Sequence, residues 1–250
     1  MKELTWYCYR ASCALISFLF PKPEFTGLEN LPKGRPCIIA GNHAHVYGPF
    51  YAELYLPFER TIWCIAEMMD MKALPDYAFR DFWSKKPRWC RWFYRLLSYA
   101  IAPLCVSVLK HAHCIGVYKD NRLLSTMRES LKRMKAGDNI VIFPEEDIPH
   151  NDIVWEFQEG FVNLASLYVR QTRQPVEFVP MYIAPALRKV CFGKPIAFDS
   201  DADLEAERTR ICNALMDAIT DMARALPRHR AVPYPNIPKR RYRFNREKDA

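Results

Sequence analysis

The 250-residue chain contains no apolar run of the roughly 20 residues that a membrane-crossing helix needs. Its two largest runs, Ala11–Phe20 and Leu96–Leu109, are shorter, and Pro103 interrupts the second. The expectation is a chain without a conventional spanning helix. Met1–Phe20 starts charged and continues apolar, as a targeting signal does. Ser12 and Ser17 break that run and no small-residue cleavage site follows, so it reads as part of the mature protein. Paired cysteines are missing too. The nine cysteines, at 8, 13, 37, 64, 90, 105, 114, 191 and 212, form no Cys-x-x-Cys motif, which argues against a disulfide framework or a structural zinc site. Reduced, buried thiols in a cytoplasmic compartment fit this pattern. A Gly-x-Ser-x-Gly nucleophile elbow is absent, and so is a recognisable nucleic-acid module. There is no internal repeat, and no Pro/Ser/Gly-rich linker occurs before Pro227–Pro238.

What is present describes a globular protein: 50% hydrophobic and 26% charged residues, enough chain to bury a core as one domain. The net charge of +8 is unevenly distributed. Pro227–Ala250 carries eight Lys/Arg against Glu247 and Asp249, which leaves only +2 for the rest. A second basic stretch, Lys85–Arg95, interleaves Lys85, Lys86, Arg88, Arg91 and Arg95 with Trp89, Trp92, Phe93 and Tyr94. Cationic stems, aromatic rings and the apolar Leu96–Leu109 that follows suit a segment lying in one leaflet of a membrane.

Several apolar segments end in polar clusters. Arg35–Ala40 reads as a short buried strand delivering Gly41-Asn42-His43 at its carboxyl end, and Ile115–Lys119 as a second strand. Leu123, Met127, Leu131 and Met134 predict a helix over Leu123–Lys135 that Gly137 terminates. Ile140–Phe143 predicts a strand ending at Pro144-Glu145, and Val176–Ala184 another ending near Pro180. Leu204–Leu226 predicts a long helix capped by Ser200. This alternation predicts an α/β fold with a mostly parallel central sheet flanked by helices, in which ligands collect at the carboxyl ends of strands.

Two of those strand ends, Asn42–Pro49 and Phe143–Asp147, carry the residues suited to chemistry. With their surroundings they resemble the glycerolipid acyltransferase family, which includes the lysophosphatidate and glycerol-phosphate acyltransferases. Asn42, His43 and Pro49 match the family's Asn-His-x4-Asp-Pro motif, and Gly116–Arg122 is similar to its basic-ended strand, with Lys119 where Arg is usual. Phe143-Pro144-Glu145-Glu146 resembles Phe-Pro-Glu-Gly, and Val179-Pro180-Met181-Tyr182 the fourth motif. Phe192–Ile196 is similar to the family's Gly-x-Pro strand ending. The resemblance spans about Pro32 to Phe198. It departs at Gly48, where the family has its Asp, at Glu146, where it has Gly, and at Asp147-Ile148, where Thr-Arg often follows.

The resemblance implies a single acyltransferase-like domain over residues 31–226, between an amphipathic, membrane-proximal segment 1–30 and a basic, Pro-rich tail 227–250. It implies transfer of a fatty acyl group from acyl-CoA or acyl-carrier protein, with no bound cofactor and no metal, to a hydroxyl of a lysophospholipid or related glycerolipid. His43 is the expected general base and Glu145 an acceptor-positioning or His-supporting carboxylate. Asn42, Lys119, Arg122, Pro144 and Pro180 are expected substrate contacts, Lys119 and Arg122 at a phosphate. The expected partners are an anionic membrane surface at the inner face of a membrane and the glycerolipid acceptor, not nucleic acid. Two alternatives stand beside this reading. Loss of the Asp could leave a non-catalytic lipid-binding protein of the same fold, or the pairs His43/His45 and His111/His113 could converge on a metal in a hydrolase.

Overall fold

Ile38–Gly41 (β2) is apolar on both faces, and burial of both faces makes it the middle strand of the sheet. The structure, a computed structural model, describes residues 2–84, 86–118 and 120–247. Chain order gives β1 (Glu24–Thr26), β2, β3 (Arg60–Ile65), β4 (Cys114–Val117), β5 (Asn139–Ile142), β6 (Glu145–Pro149), β7 (Trp155–Phe157), β8 (Glu177–Ala184), β9 (Lys189–Phe192) and β10 (Ile196–Ala197). The helices are α1 (Lys2–Leu19), α2 (Tyr47–Tyr55), α3 (Leu74–Ala78), α4 (Arg91–His111), α5 (Leu123–Lys135), α6 (Asn163–Thr172) and α7 (Leu204–Ala225).

The main sheet runs β1-β9-β8-β2-β5-β3-β4, with β10 beside β8, and β6-β7 form a separate hairpin. The block β8-β2-β5-β3-β4 is parallel throughout, while β9 and β10 run antiparallel to β8. This is the α/β architecture with a mostly parallel sheet that the alternating pattern predicts. Strand alternation divides the core. Ile38, Ala40, Ile140, Ile142 and Phe178 face α5, α6 and α7, whereas Ile39, Val141, Val179 and Ile183 face α2. The chain therefore layers helices on both sides of the sheet.

Several expectations change in detail. Pro103 does not interrupt α4, which runs from Arg91 to His111. Pro103 and Tyr99 are both on the exposed side, so water can serve the Tyr99 carbonyl that proline leaves without its donor. With the preceding turn, Arg88–His111 is 24 residues long and holds an 18-residue stretch of mean hydropathy 1.4, long and apolar enough to cross a membrane by length and composition. β8 likewise continues past Pro180 to Ala184; the Pro180 carbonyl accepts from Gly193 N at 2.9 Å. The α7 cap is Asp203 rather than Ser200. Its carboxylate accepts from the backbone N–H groups of Glu205 and Ala206, at 3.1 and 3.0 Å, which a residue further from the first turn could not reach.

Residues 227–247 fold back on the domain. Asn245 accepts from His229 N at 2.8 Å and donates to the carbonyl of Ala223 at 2.7 Å, at the end of α7. An antiparallel bridge between Arg230 and Phe244 closes the loop, supported by the Arg228 guanidinium 3.4 Å from the Phe244 ring centroid. His229 Nδ1 donates to the Pro227 carbonyl, which leaves Nε2 to accept from the Tyr182 hydroxyl at 2.8 Å. The loop thus reaches over the carboxyl end of the sheet.

Candidate active site

The candidate site begins where β2 ends. Gly41 packs so closely on β8 that a Cβ there would stand 2.8 Å from Met181 Cε and 2.9 Å from the Met181 carbonyl oxygen. Asn42 follows and is buried. Its carbonyl oxygen accepts from Ile183 N at 2.7 Å and its amide nitrogen donates to Ile183 O at 3.1 Å. Asn42, expected at the substrate, here clips β2 to β8 with its amide engaged by backbone. The chain then turns into α2 through Ala44 (φ 45°) and His45 (φ 56°), a left-handed pair costing about 1–2 kcal/mol per residue. Strain of this kind is characteristic of functional turns.

Glu145 opens β6, three residues beyond the end of β5, and is buried at 3% exposure. One carboxylate oxygen accepts from His43 N at 2.6 Å and the other from Trp155 N at 3.1 Å. The two sequence motifs do meet, but the glutamate holds the main chain of His43 and not its ring. Burial pushes the Glu145 carboxyl up to about 7, partly opposed by the backbone N–H groups of His43 and Trp155.

The His43 imidazole lies between two aromatic rings, Phe143 at 5.5 Å and Tyr234 at 5.8 Å between centroids, both edge-to-face. Its Nδ1 is sealed from solvent, without a hydrogen-bond partner among the described residues. Burial holds the ring at about 4, with the backbone of His45 offsetting part of that effect, so the imidazole is neutral at physiological pH. Gly48 donates its N–H to the His43 carbonyl at 3.1 Å. A Cβ at position 48 would meet the His43 carbonyl oxygen at 2.6 Å and Phe143 Cε1 at 2.8 Å, so this backbone has no room for a side chain there.

The remaining expected contacts lie elsewhere or point elsewhere. Pro144 is buried, and its carbonyl accepts from Gln158 N at 2.9 Å; Pro180 is buried within β8 with its ring against Gly193. Both, expected as substrate contacts, are buried at the sheet ends. Arg122 is exposed at the start of α5. Its guanidinium is paired with Asp120 at 2.8 Å and stacked 4.3 Å from the Tyr118 ring centroid. It follows β4, three strands from β2, or about 14 Å across the sheet. Lys119 lies outside the described residues.

The two histidine pairs do not converge. His43 and His45 follow the carboxyl end of β2, while His111 and His113 precede the amino end of the parallel strand β4. His113 is paired with Glu53 at 3.1 Å, and among the described residues no group of three His, Cys, Asp or Glu could hold a metal ion. The motif reading missed the tail. Tyr234 packs on His43, and His45 Nε2 donates to the Pro235 carbonyl at 3.1 Å. The signal was there in Pro233-Tyr234-Pro235, an aromatic held between prolines in an otherwise basic segment.

A family model described as Acyltransferase matches residues 22–184. Among solved structures, the chain is similar to the 1-acyl-sn-glycerophosphate (LPA) acyltransferase PlsC from Thermotoga maritima, with a TM-score of 0.51 and 15% identity. That similarity covers 87% of this chain and 79% of the other, and it bears on the fold. No curated protein matches.

Two predictions follow from the packing and burial. Gly48→Asp, which installs the carboxylate of the resembling family, is expected to destabilise the protein by about 1–3 kcal/mol in urea unfolding rather than to repair the site. A Gly48→Asp protein as stable as the parent would show that Phe143 and the His43 carbonyl give way. For Glu145, the folded carboxyl is raised above its ordinary 4.5 to about 7. Between those pH values the unfolded chain has released this proton and the folded chain has not, so the glutamate's contribution to stability falls as pH rises. The stability of Glu145→Gln relative to the parent should therefore increase from pH 4.5 to pH 7, and a difference that is flat with pH contradicts the assignment.

Proposed function

This chain belongs to the acyltransferase family, and from that premise we propose that it moves a fatty acyl group from acyl-CoA or acyl-carrier protein to a hydroxyl of a lysophospholipid or related glycerolipid. The observation that supports this reading is the 2.6 Å bond from His43 N to Glu145, which joins the two chemistry-bearing strand ends at one mouth. The acceptor hydroxyl oxygen attacks the thioester carbonyl while its proton passes to His43 Nε2. The tetrahedral intermediate collapses with cleavage of the C–S bond, and the leaving thiolate recovers the proton from the imidazolium. An ester and a free thiol result, and the base is regenerated.

A neutral imidazole is in the right protonation state for this step from the outset. Its weakness is orientation, since no carboxylate among the described residues bonds the ring; in a serine-protease triad the loss of the orienting Asp costs about 10⁴ in rate. That same feature favours a second reading, a lipid-binding protein of this fold without transfer activity. The two readings differ in one assay.

The apolar surface supports a membrane location. α1 and α4 pack together, and with the turn before α4 they leave Tyr7, Phe18, Leu19, Trp89, Trp92 and Leu96 exposed. Leu74, Ala78, Ala102 and Val106 form a small core that ties α4 to α3 and so to the domain. In this reading α4 lies along the membrane rather than across it. Arg88, Arg91 and Arg95 meet anionic headgroups at the cytoplasmic inner face, each contributing about 1 kcal/mol. The lipid acceptor then reaches His43 from that surface.

With labelled acyl-CoA or acyl-carrier protein and a panel of lysophospholipids, the protein should form diacyl product, and His43→Ala should slow it by about 10²-fold or more. Turnover that is absent from the parent, or unchanged in the variant, removes the mechanism. In flotation with anionic vesicles, binding should be strong at low salt and weaker at high salt. Failure to float at any ionic strength would defeat the membrane placement.

A further inference from the structure

A base must be aimed as well as deprotonated. An imidazole turns about its side-chain bonds, and a hydrogen bond at Nδ1 is the usual way to hold it so that Nε2 faces the acceptor. Here that device is absent. Among the described residues no side chain bonds Nδ1, only the His45 backbone acts on the ring, and residue 48, where the resembling family carries its Asp, has no space for even a Cβ because the Phe143 ring and the His43 carbonyl occupy it. The ring's orientation must come from packing.

Two rings supply that packing, at interplanar angles of 65° for Phe143 and 77° for Tyr234, the edge-to-face geometry that aromatic quadrupoles favour. Phe143 arrives with β5 and belongs to the sheet. Tyr234 arrives from the other end of the chain on a strap fastened at three places. Its first end is held by the Tyr182–His229 bond at 2.8 Å and its second by Asn245 against the end of α7. In between, the Pro235 carbonyl accepts from His45 Nε2 at 3.1 Å. The residue next to Tyr234 is thereby tied to the residue two beyond His43, which fixes the phenol ring in register with the imidazole.

We propose that Tyr234 is a positioning residue for the base: with Phe143 it clamps the His43 ring edge-to-face and so sets the direction of Nε2, the task that a hydrogen-bonded carboxylate performs elsewhere. The proposal rests on the acyl-transfer reading for its consequence in turnover, but not for its geometry. The contact is made by the ring and not by the hydroxyl, so phenylalanine should serve and smaller or non-planar side chains should not.

The test compares Tyr234→Phe, Tyr234→Leu and Tyr234→Ala in the full chain, by steady-state kinetics and by NMR of selectively labelled histidine. Leucine fills volume without a ring, so it separates positioning from simple packing of the strap. The expected result is a kcat about 10²-fold lower in the Leu and Ala variants, with the acceptor KM little changed, and a return to near the parent kcat in Tyr234→Phe. The His43 ring resonances should shift in Leu and Ala and stay in place in Phe. In Tyr234→Ala their titration midpoint should also move up towards that of a free histidine, since the strap contributes to the burial of the ring. Resonances that do not move, or a loss confined to KM, overturn the positioning role. If the parent transfers no acyl group to any acceptor, the acyl-transfer reading fails, while the His43 resonances still decide whether Tyr234 holds the ring.

Discussion

A buried carboxylate that accepts from two backbone N–H groups is the interaction on which the site depends. Glu145 joins the turn after β2, through His43 N, to the start of β7, through Trp155 N, and it does so at 3% exposure. Burial alone would drive this group to its protonated form, and the two donors are what keep its pKa only as high as about 7. In exchange, the strained turn at Ala44 and His45 is pinned from below. With Asn42 clipped to β8 next door, this bond holds the His43 main chain where the ring can be gripped from above.

The sheet makes that bond available. β2 and β5 are parallel neighbours in the register Ile38↔Ile140, Ile39↔Val141 and Ala40↔Ile142. Carried three residues beyond Ala40, the same offset of 102 places His43 opposite Glu145, which is the separation of their hydrogen bond. The meeting of the two motifs is therefore a consequence of strand pairing. Pairing in turn rests on the apolar faces of Ile38–Ala40 and Ile140–Ile142, which helices cover on both sides. Asn42 completes the arrangement by locking β2 to β8 on its other flank.

The upper half of the site belongs to residues outside the stretch of family resemblance. By composition the tail is a cationic segment suited to lipid headgroups; folded, it also brings Tyr234 and Pro235 to the two histidines of the first motif. The two roles are compatible, because Arg240 and Arg241 remain exposed on the same loop whose inner side touches His43 and His45. α4 shows a related economy. One side joins α3 in a small core, while Trp89, Trp92 and Leu96 are left uncovered.

Much of this was legible in the sequence. Apolar runs placed β5 and β8 to within a residue and β2 to within three, and the spacing of Leu123, Met127, Leu131 and Met134 placed α5 with both ends right. Those signals are local, because alternation and helical periodicity are read within one element. The cap at Asp203 and the continuity of α4 through Pro103 depend on neighbours, and the sequence pattern misjudged both. At the site, residue identity named His43 and Glu145, but only the tertiary structure decided that the carboxylate grips the main chain, that Asn42 serves the sheet, and that the ring is held by aromatics. The physical reason is that a side chain's chemistry travels with its residue type. The partner it meets is set by register, strand order and chain return, over separations of 102 residues for Glu145 and 190 for the strap.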